Sequence, residues 1–257
     1  MNGGFDFDFD LDELAPADAA SEEAVERFWS GDLTALSQHH TTPNGSHSFV
    51  LAHDQSTTWG IPGAPQVMVI AVARDLTQFT YTLETSHHAT VSFAQNWLVE
   101  RGCPPEEIAE IHGGSLKPAD GLTVWVERQI RESGTRYEVL DNHTSDSDPS
   151  ETWTLTRDSR AAEAPIRVFH EEWDQGTGTY TMHEGAFADV DAARSWLDER
   201  NGPLPLPPEY RGEVNILRSR AALSRSAGAA TARKTGPDVP RTSPAGPVRH
   251  PIQGRLM

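Results

Sequence analysis

Thr80-Tyr81-Thr82-Leu83-Glu84-Thr85-Ser86-His87-His88-Ala89-Thr90-Val91-Ser92-Phe93-Ala94-Gln95-Asn96-Trp97-Leu98-Val99-Glu100-Arg101 returns 99 residues later as the stretch from Thr179 to Arg200. Thr80-Tyr81-Thr82 meets Thr179-Tyr180-Thr181, and Val91, Ala94, Trp97, Leu98, Glu100 and Arg101 meet Val190, Ala193, Trp196, Leu197, Glu199 and Arg200. Without a gap, so dense a self-match is the signature of an internal repeat. Each copy reads the same way. An alternating β-branched and aromatic run predicts a strand, and an apolar stripe at helical spacing, stopped by Gly102 or Gly202, predicts a helix.

Working outward in the same register, Val67, Val69 and Asp75 pair with Ile166, Val168 and Asp174. With small gaps the match extends backward. Thr58-Trp59-Gly60-Ile61 meets Thr152-Trp153-Thr154-Leu155, Phe49 and Leu51 meet Tyr137 and Val139, Leu33-Thr34 meets Leu122-Thr123, and Glu22-Glu23 meets Glu106-Glu107. The expected fold class is α+β: two tandem repeats, residues 21–105 and 106–211, each an antiparallel sheet of about five strands followed by a packing helix, with a short helix ahead of the strands. In the second unit the strands are read from Leu122-Val124-Val126, Tyr137-Val139, Trp153-Leu155, Ile166-Val168 and Tyr180-Met182, with turns at Ser133-Gly134, 142–150 and Gly176-Thr177-Gly178.

Charge is placed unevenly along the 257 residues, whose formal net charge is −17. The first 32 carry ten acids against Arg27 alone and include Phe5-Asp6-Phe7-Asp8-Phe9-Asp10-Leu11-Asp12. Four aspartates in seven residues repel one another and are poor strand formers, so residues 1–20 read as a disordered acidic-aromatic arm able to dock on a partner or on its own body. Residues 212–257 hold eight Lys and Arg, two acids, five prolines and no aromatic residue, and read as a basic disordered tail, flexible after about residue 220. Residues 1–211 then carry 13 basic and 36 acidic side chains, a net of −23. The apolar runs are far short of a membrane span, no basic leader is present, and one cysteine excludes an intramolecular disulfide; a cytoplasmic protein without membrane contact is expected.

The chemistry-bearing residues give weak signals. His47 and His53 share a strand face in unit one and His87-His88 end its fourth strand, but unit two keeps no equivalent set, so no metal or cofactor is expected. His170-Glu171-Glu172 and His183-Glu184 lie on neighbouring strands and read as solvated strand ends, because adjacent residues point to opposite faces. Cys103 follows a helix C-terminus, where a thiolate is disfavoured. Trp125 and Trp173 interrupt the repeat, standing opposite Leu36 and Arg74, and fall on the non-core parity of their expected strands. They are the candidate interaction surface on an open sheet face. Arg218, Arg220, Arg225, Arg233 and Lys234 are the candidate contacts to phosphate or to an acidic partner.

The leading expectation is a non-enzymatic interaction or adaptor protein that recruits a protein partner through the sheet face and the two arms. One alternative is single-strand nucleic-acid binding through the sheet face and the Arg-rich tail. Duplicated sheet-plus-helix units are similar in topology to single-strand binders of the Whirly and Pur kinds. A body at −23 opposes it, since phosphate contacts need a basic surface. The other alternative is an enzyme with a site between the two units; no catalytic motif singles it out.

Overall fold

Pro-Ala-Asp stands at 16–18 and again at 118–120, and each copy starts a helix. The aspartate is extended, and its carboxylate accepts the N–H three residues on: Asp18 from Ser21 at 2.7 Å, Asp120 from Thr123 at 2.8 Å. Such a cap satisfies one of the orphan donors of a first turn. The computed structural model describes residues 7, 9–41, 45–57, 61–111, 117–145, 150–210 and 212–232. Unit one runs β1 (Ala15–Pro16), α1 (Ala19–Arg27), β2 (Leu33–His40), β3 (His47–Asp54), β4 (Val67–Asp75), β5 (Thr80–His88) and α2 (Val91–Glu100). Unit two repeats that order as β6 (Lys117–Pro118), α3 (Gly121–Arg131), β7 (Tyr137–Ser145), β8 (Glu151–Asp158), β9 (Ile166–Asp174), β10 (Thr179–Phe187) and α4 (Val190–Glu199). A last helix, α5 (Glu213–Ala232), follows.

The two sheets have matching orders, β1-β5-β4-β3-β2 and β6-β10-β9-β8-β7. Four strands form an antiparallel meander, and the two-residue strand ahead of the first helix adds to the last strand in parallel, Ala15 beside Thr80 and Lys117 beside Thr179. Both first meander strands slip register at the same place, between Ala35 and Ser37 and between Val139 and Asp141. The duplicated sheet-plus-helix α+β architecture is therefore present.

The backward part of the sequence alignment is corrected by these registers. Leu33 opposes Asp54 and Tyr137 opposes Asp158, so Leu33 corresponds to Tyr137 and not to Leu122; Phe49 corresponds to Trp153 and not to Tyr137. Leu122, Val124 and Val126 form no strand but lie on α3. Leu122, Val126 and Ile130 are buried at i, i+4 and i+8, while Val124 is half exposed, so the apparent period of two was an accident of one outward valine. Glu22 and Glu23 lie in α1, whereas Glu106 and Glu107 belong to the segment after α2. Thr58, Trp59 and Gly60 lie outside the described residues.

Each sheet is covered on both faces. In unit one α1 lies over Val50, Ala52, Ile70, Val72, Tyr81 and Leu83, and α2 lies over Phe49, Leu51, Val67 and Val69 through Ala94 and Leu98. In unit two α3 covers Tyr137, Phe169 and Met182, and α4 covers Leu155, Ile166 and Val168 through Ala193 and Leu197. Helix α2 also joins the units. Phe93 on its far side meets Phe169 and Tyr137 edge-on, with ring centroids 5.3 and 6.3 Å away, and Asn96 exchanges hydrogen bonds of 3.1 and 2.9 Å with the backbone of Gly134.

The acidic-aromatic arm docks on its own body: Phe9 is buried and Phe7, Leu11 and Leu14 pack with it against the α1 side of sheet one, while Arg74 donates to the Phe9 carbonyl. Residues 1–6 and 8 lie outside the described part. At the basic end α5 continues to Ala232, and residues 233–257 lie outside the described part. Helix α5 roots on unit two through Val214, Leu217 and Ala221, a stripe at i, i+3 and i+7 that the bulk composition of the segment obscures. Gly121 makes room for it, since a Cβ there would stand 3.3 Å from Leu217.

Tyr81 and Tyr180 occupy matching places, as do Trp97 and Trp196; both tryptophans are half-buried, each under the arginine four residues on, Arg101 at 3.4 Å and Arg200 at 5.0 Å from the ring centroid. His88 and Phe187 also correspond, 6.3 and 6.2 Å from their tryptophans. Burial, with help from His87 and Arg101, pushes His88 down to about 4. The unfolded chain then takes up that proton before the folded one, so this histidine contributes stability above the ordinary histidine range that is lost as pH falls toward 4. His88→Phe, which installs the residue of unit two, should shrink the drop in melting temperature between pH 7 and pH 5 by several degrees; an unchanged drop would contradict this account.

Candidate functional site

The structure does not bring the two singled-out tryptophans together on an open sheet face. Trp125 is on α3, half-buried, edge-on to Tyr210 at 5.4 Å. Trp173 is on β9, beside Tyr180 in register, and its indole N–H donates to Glu171. Both were placed by strand parity. That assignment fails for Trp125 because its segment is helical, and for Trp173 because α3 covers that side of the sheet.

Nor are the acidic residues of β9 and β10 all solvated strand ends. Burial pushes Glu171 up to about 7; the bond from Trp173 opposes the rise and the charge of nearby Glu127 adds to it. Deeper under α3, Arg167 is fully buried. Its guanidinium pairs with Glu209, lies 3.4 Å from Asp158 and stands 3.7 Å from Glu184. Arg136 grips Asp158 with two bonds of 2.9 and 2.6 Å. Glu184 accepts from the Tyr210 hydroxyl at 2.6 Å and from Gln129 at 2.9 Å, and burial raises it against those partners. The signal for this network was in the repeat itself. At the 99-residue spacing Arg167, Glu171 and Glu184 replace Met68, Val72 and Thr85 of unit one.

On the opposite face of the same sheet, a cavity of roughly 490 Å³ is lined by Glu151, His170, Glu172, His183, Trp196 and Arg200, among others. The strand registers explain the convergence. Glu151 on β8 is the cross-strand partner of Glu172 on β9, and His170, two residues before Glu172, is the partner of His183 on β10, so all four share one face. His170 is buried; its Nε2 lies 2.8 Å from Glu151 Oε2, and its ring meets Trp196 edge-on at 5.9 Å. Arg200 holds the other Glu151 oxygen. Leu204 closes one side, lying where only a glycine at 185 permits it: a Cβ there would come within 2.5 Å of the leucine.

The matching face of unit one has a different set. Alanines 71 and 73 stand where His170 and Glu172 do, and His47 takes the place of Glu151. The histidines of unit one are dispersed over both faces: His47 contacts Ser46 and His53 contacts Gln66 at 3.2 Å on this one, and His87 contacts Asp54 at 3.0 Å on the other. Among the described residues, Glu151, His170 and Glu172 are the one group of three metal-capable side chains with donor atoms within 4.8 Å of one another. Cys103 is buried and its thiol is pushed up to about 12, mainly by burial and further by Glu107 and Glu106.

The C-terminal arginines divide. Arg218 and Arg220 are exposed on α5, Arg225 falls within the same helix, and Arg233 and Lys234 lie outside the described residues. Away from the rooted stripe, α5 presents Ile216 and Leu223, 54% and 70% exposed, two turns apart with Arg220 between them. No described helix is long and apolar enough to cross a membrane. Comparison with models of protein families, with curated proteins and with solved structures finds no match to this chain.

Proposed function

We propose that the protein is a non-enzymatic interaction protein of the cytoplasm, and that α5 is the element that meets its protein partner. The carrying observation is the double character of that helix. One face, Val214, Leu217 and Ala221, packs on unit two, while Ile216 and Leu223 stand exposed away from it. Apolar anchors at i and i+7 are what a helix lays into an apolar groove of a partner. Unit two serves as the frame on which α5 is seated. A protein groove suits this face better than nucleic acid does, because residues 1–211 at −23 repel phosphate wherever the helix brings it near.

The test is recovery of the full chain from the cells that make it, beside the double variant Ile216→Asp, Leu223→Asp. Neither residue is part of the buried root, so the variant should fold with an unchanged melting temperature. A stoichiometric protein should accompany the wild type, survive nuclease treatment and be lost from the variant. Recovery of nucleic acid that depends on Arg218 and Arg220, or a partner indifferent to the double substitution, would refute the proposal.

A further inference from the structure

The geometry points to a divalent transition-metal site in unit two, with Glu151, His170 and Glu172 as protein ligands and the adjoining cavity as the open coordination position. Convergence is the first reason: one imidazole nitrogen and two carboxylates come from two adjacent strands, on one sheet face, with donor atoms within 4.8 Å of one another. Mixed imidazole and carboxylate donors suit zinc and its first-row neighbours, held at about 2.0–2.2 Å. A cation between Nε2 of His170 and Oε2 of Glu151 would take the place of their direct contact and open the 2.8 Å separation by a few tenths of an ångström.

Electrostatics is the second reason. Glu151 and Glu172 sit directly opposite each other on neighbouring strands, a like-charge pairing that costs stability unless something lies between them. Arg200 answers only one of the two, through the Glu151 oxygen that faces away from His170. That contact also orients the carboxylate, as a residue behind a metal ligand does. The third reason is the repeat. Unit one builds the same sheet with alanines 71 and 73 at the positions of His170 and Glu172, so the frame does not require these two side chains. With three protein donors and a cavity of roughly 490 Å³ on the remaining side, the metal would keep a position for water or for an anionic ligand group. His183 lines that cavity from the next strand, in register with His170.

The test titrates the purified, chelator-treated full chain with Zn2+ by calorimetry and with Co2+ by visible absorption. One ion per chain should bind, and Co2+ should give the intense visible bands of a four- or five-coordinate centre. The double variant His170→Ala, Glu172→Ala rebuilds the unit-one pair and should fold; Glu172→Gln is the milder control. Both should weaken binding at least about tenfold. X-ray absorption of the zinc-loaded wild type should show oxygen and one or two imidazole nitrogens. No binding by the wild type, undiminished binding by the double variant, or a zinc shell containing sulfur or three or more imidazoles would overturn the site. None of these results bears on the partner-recovery experiment, so the two proposals fail separately.

Discussion

Arg167→Met should destabilise the protein by about 3–5 kcal/mol, although methionine is what unit one holds at the same place. Unit one can keep Met68, packed with Val50, Ala52 and Ile70, because Asp54, the counterpart of Asp158, is held there by His87 and Ser56 and needs no arginine at 68. In unit two the change strips the charge partner from Glu184, which is 4% exposed, and leaves Asp158 to Arg136 alone. A buried carboxylate without its guanidinium must stay charged in a poor medium or take up a proton, and both cost stability. Adding Glu184→Thr, the residue equivalent to Thr85, should recover part of the loss, so that the double variant is more stable than the sum of the singles by between about 0.5 and 3 kcal/mol. Urea denaturation of the four proteins measures this. Strict additivity would mean that Arg167 and Glu184 do not sense each other across their 3.7 Å separation.

The second large effect is expected at the seam between the units. Phe93→Ala should cost about 3–5 kcal/mol, the range for a phenylalanine removed from a packed core. More informative is where the loss appears. Phe93 belongs to the helix that closes sheet one, yet its ring packs on Tyr137 and Phe169 of sheet two. Hydrogen exchange should therefore speed up in β7 and β9 as well as in α2, whereas Leu98→Ala, facing sheet one only, should leave β7 and β9 protected. Faster exchange confined to α2 after Phe93→Ala would show that the units do not depend on this contact.

How much of this was legible in the sequence follows from where the two copies keep step. From β4 to α2 and from β9 to α4 the 99-residue register holds without a gap, and there the strand and helix assignments agree with the structure, Trp97 matching Trp196. The face that bears Trp173, Glu171 and Glu184 reads as open in the sequence but is covered by α3. Before β4 the step is lost, because the connection ahead of it spans 55–66 in unit one and only 159–165 in unit two. Alignment by apolar similarity then slid Leu33 onto Leu122 and turned a capped helix into a strand. The Pro-Ala-Asp pair would have prevented this, since an aspartate that caps a helix is a stronger marker than a valine of ambiguous period. The buried charges were readable as departures from the repeat but not as a network, because their partners Arg136, Gln129 and Tyr210 come from other elements. The cavity was hidden for the same reason: Glu151, His170 and Glu172 meet only once the strand registers are known. Helix α5 was masked by averaging, three anchoring residues being diluted in a Pro- and Arg-rich segment.

The claim that α5 carries the function is tested most directly by a photo-crosslinking amino acid placed at position 223, on the outward face, in the cell that makes the protein. Position 139, also exposed but on β7 of the frame, serves as the control. The account predicts one discrete protein adduct from position 223, absent from position 139 and abolished when Ile216→Asp is added. Adducts at position 139 that equal those at 223, or adducts at 223 that consist of nucleic acid, would contradict it.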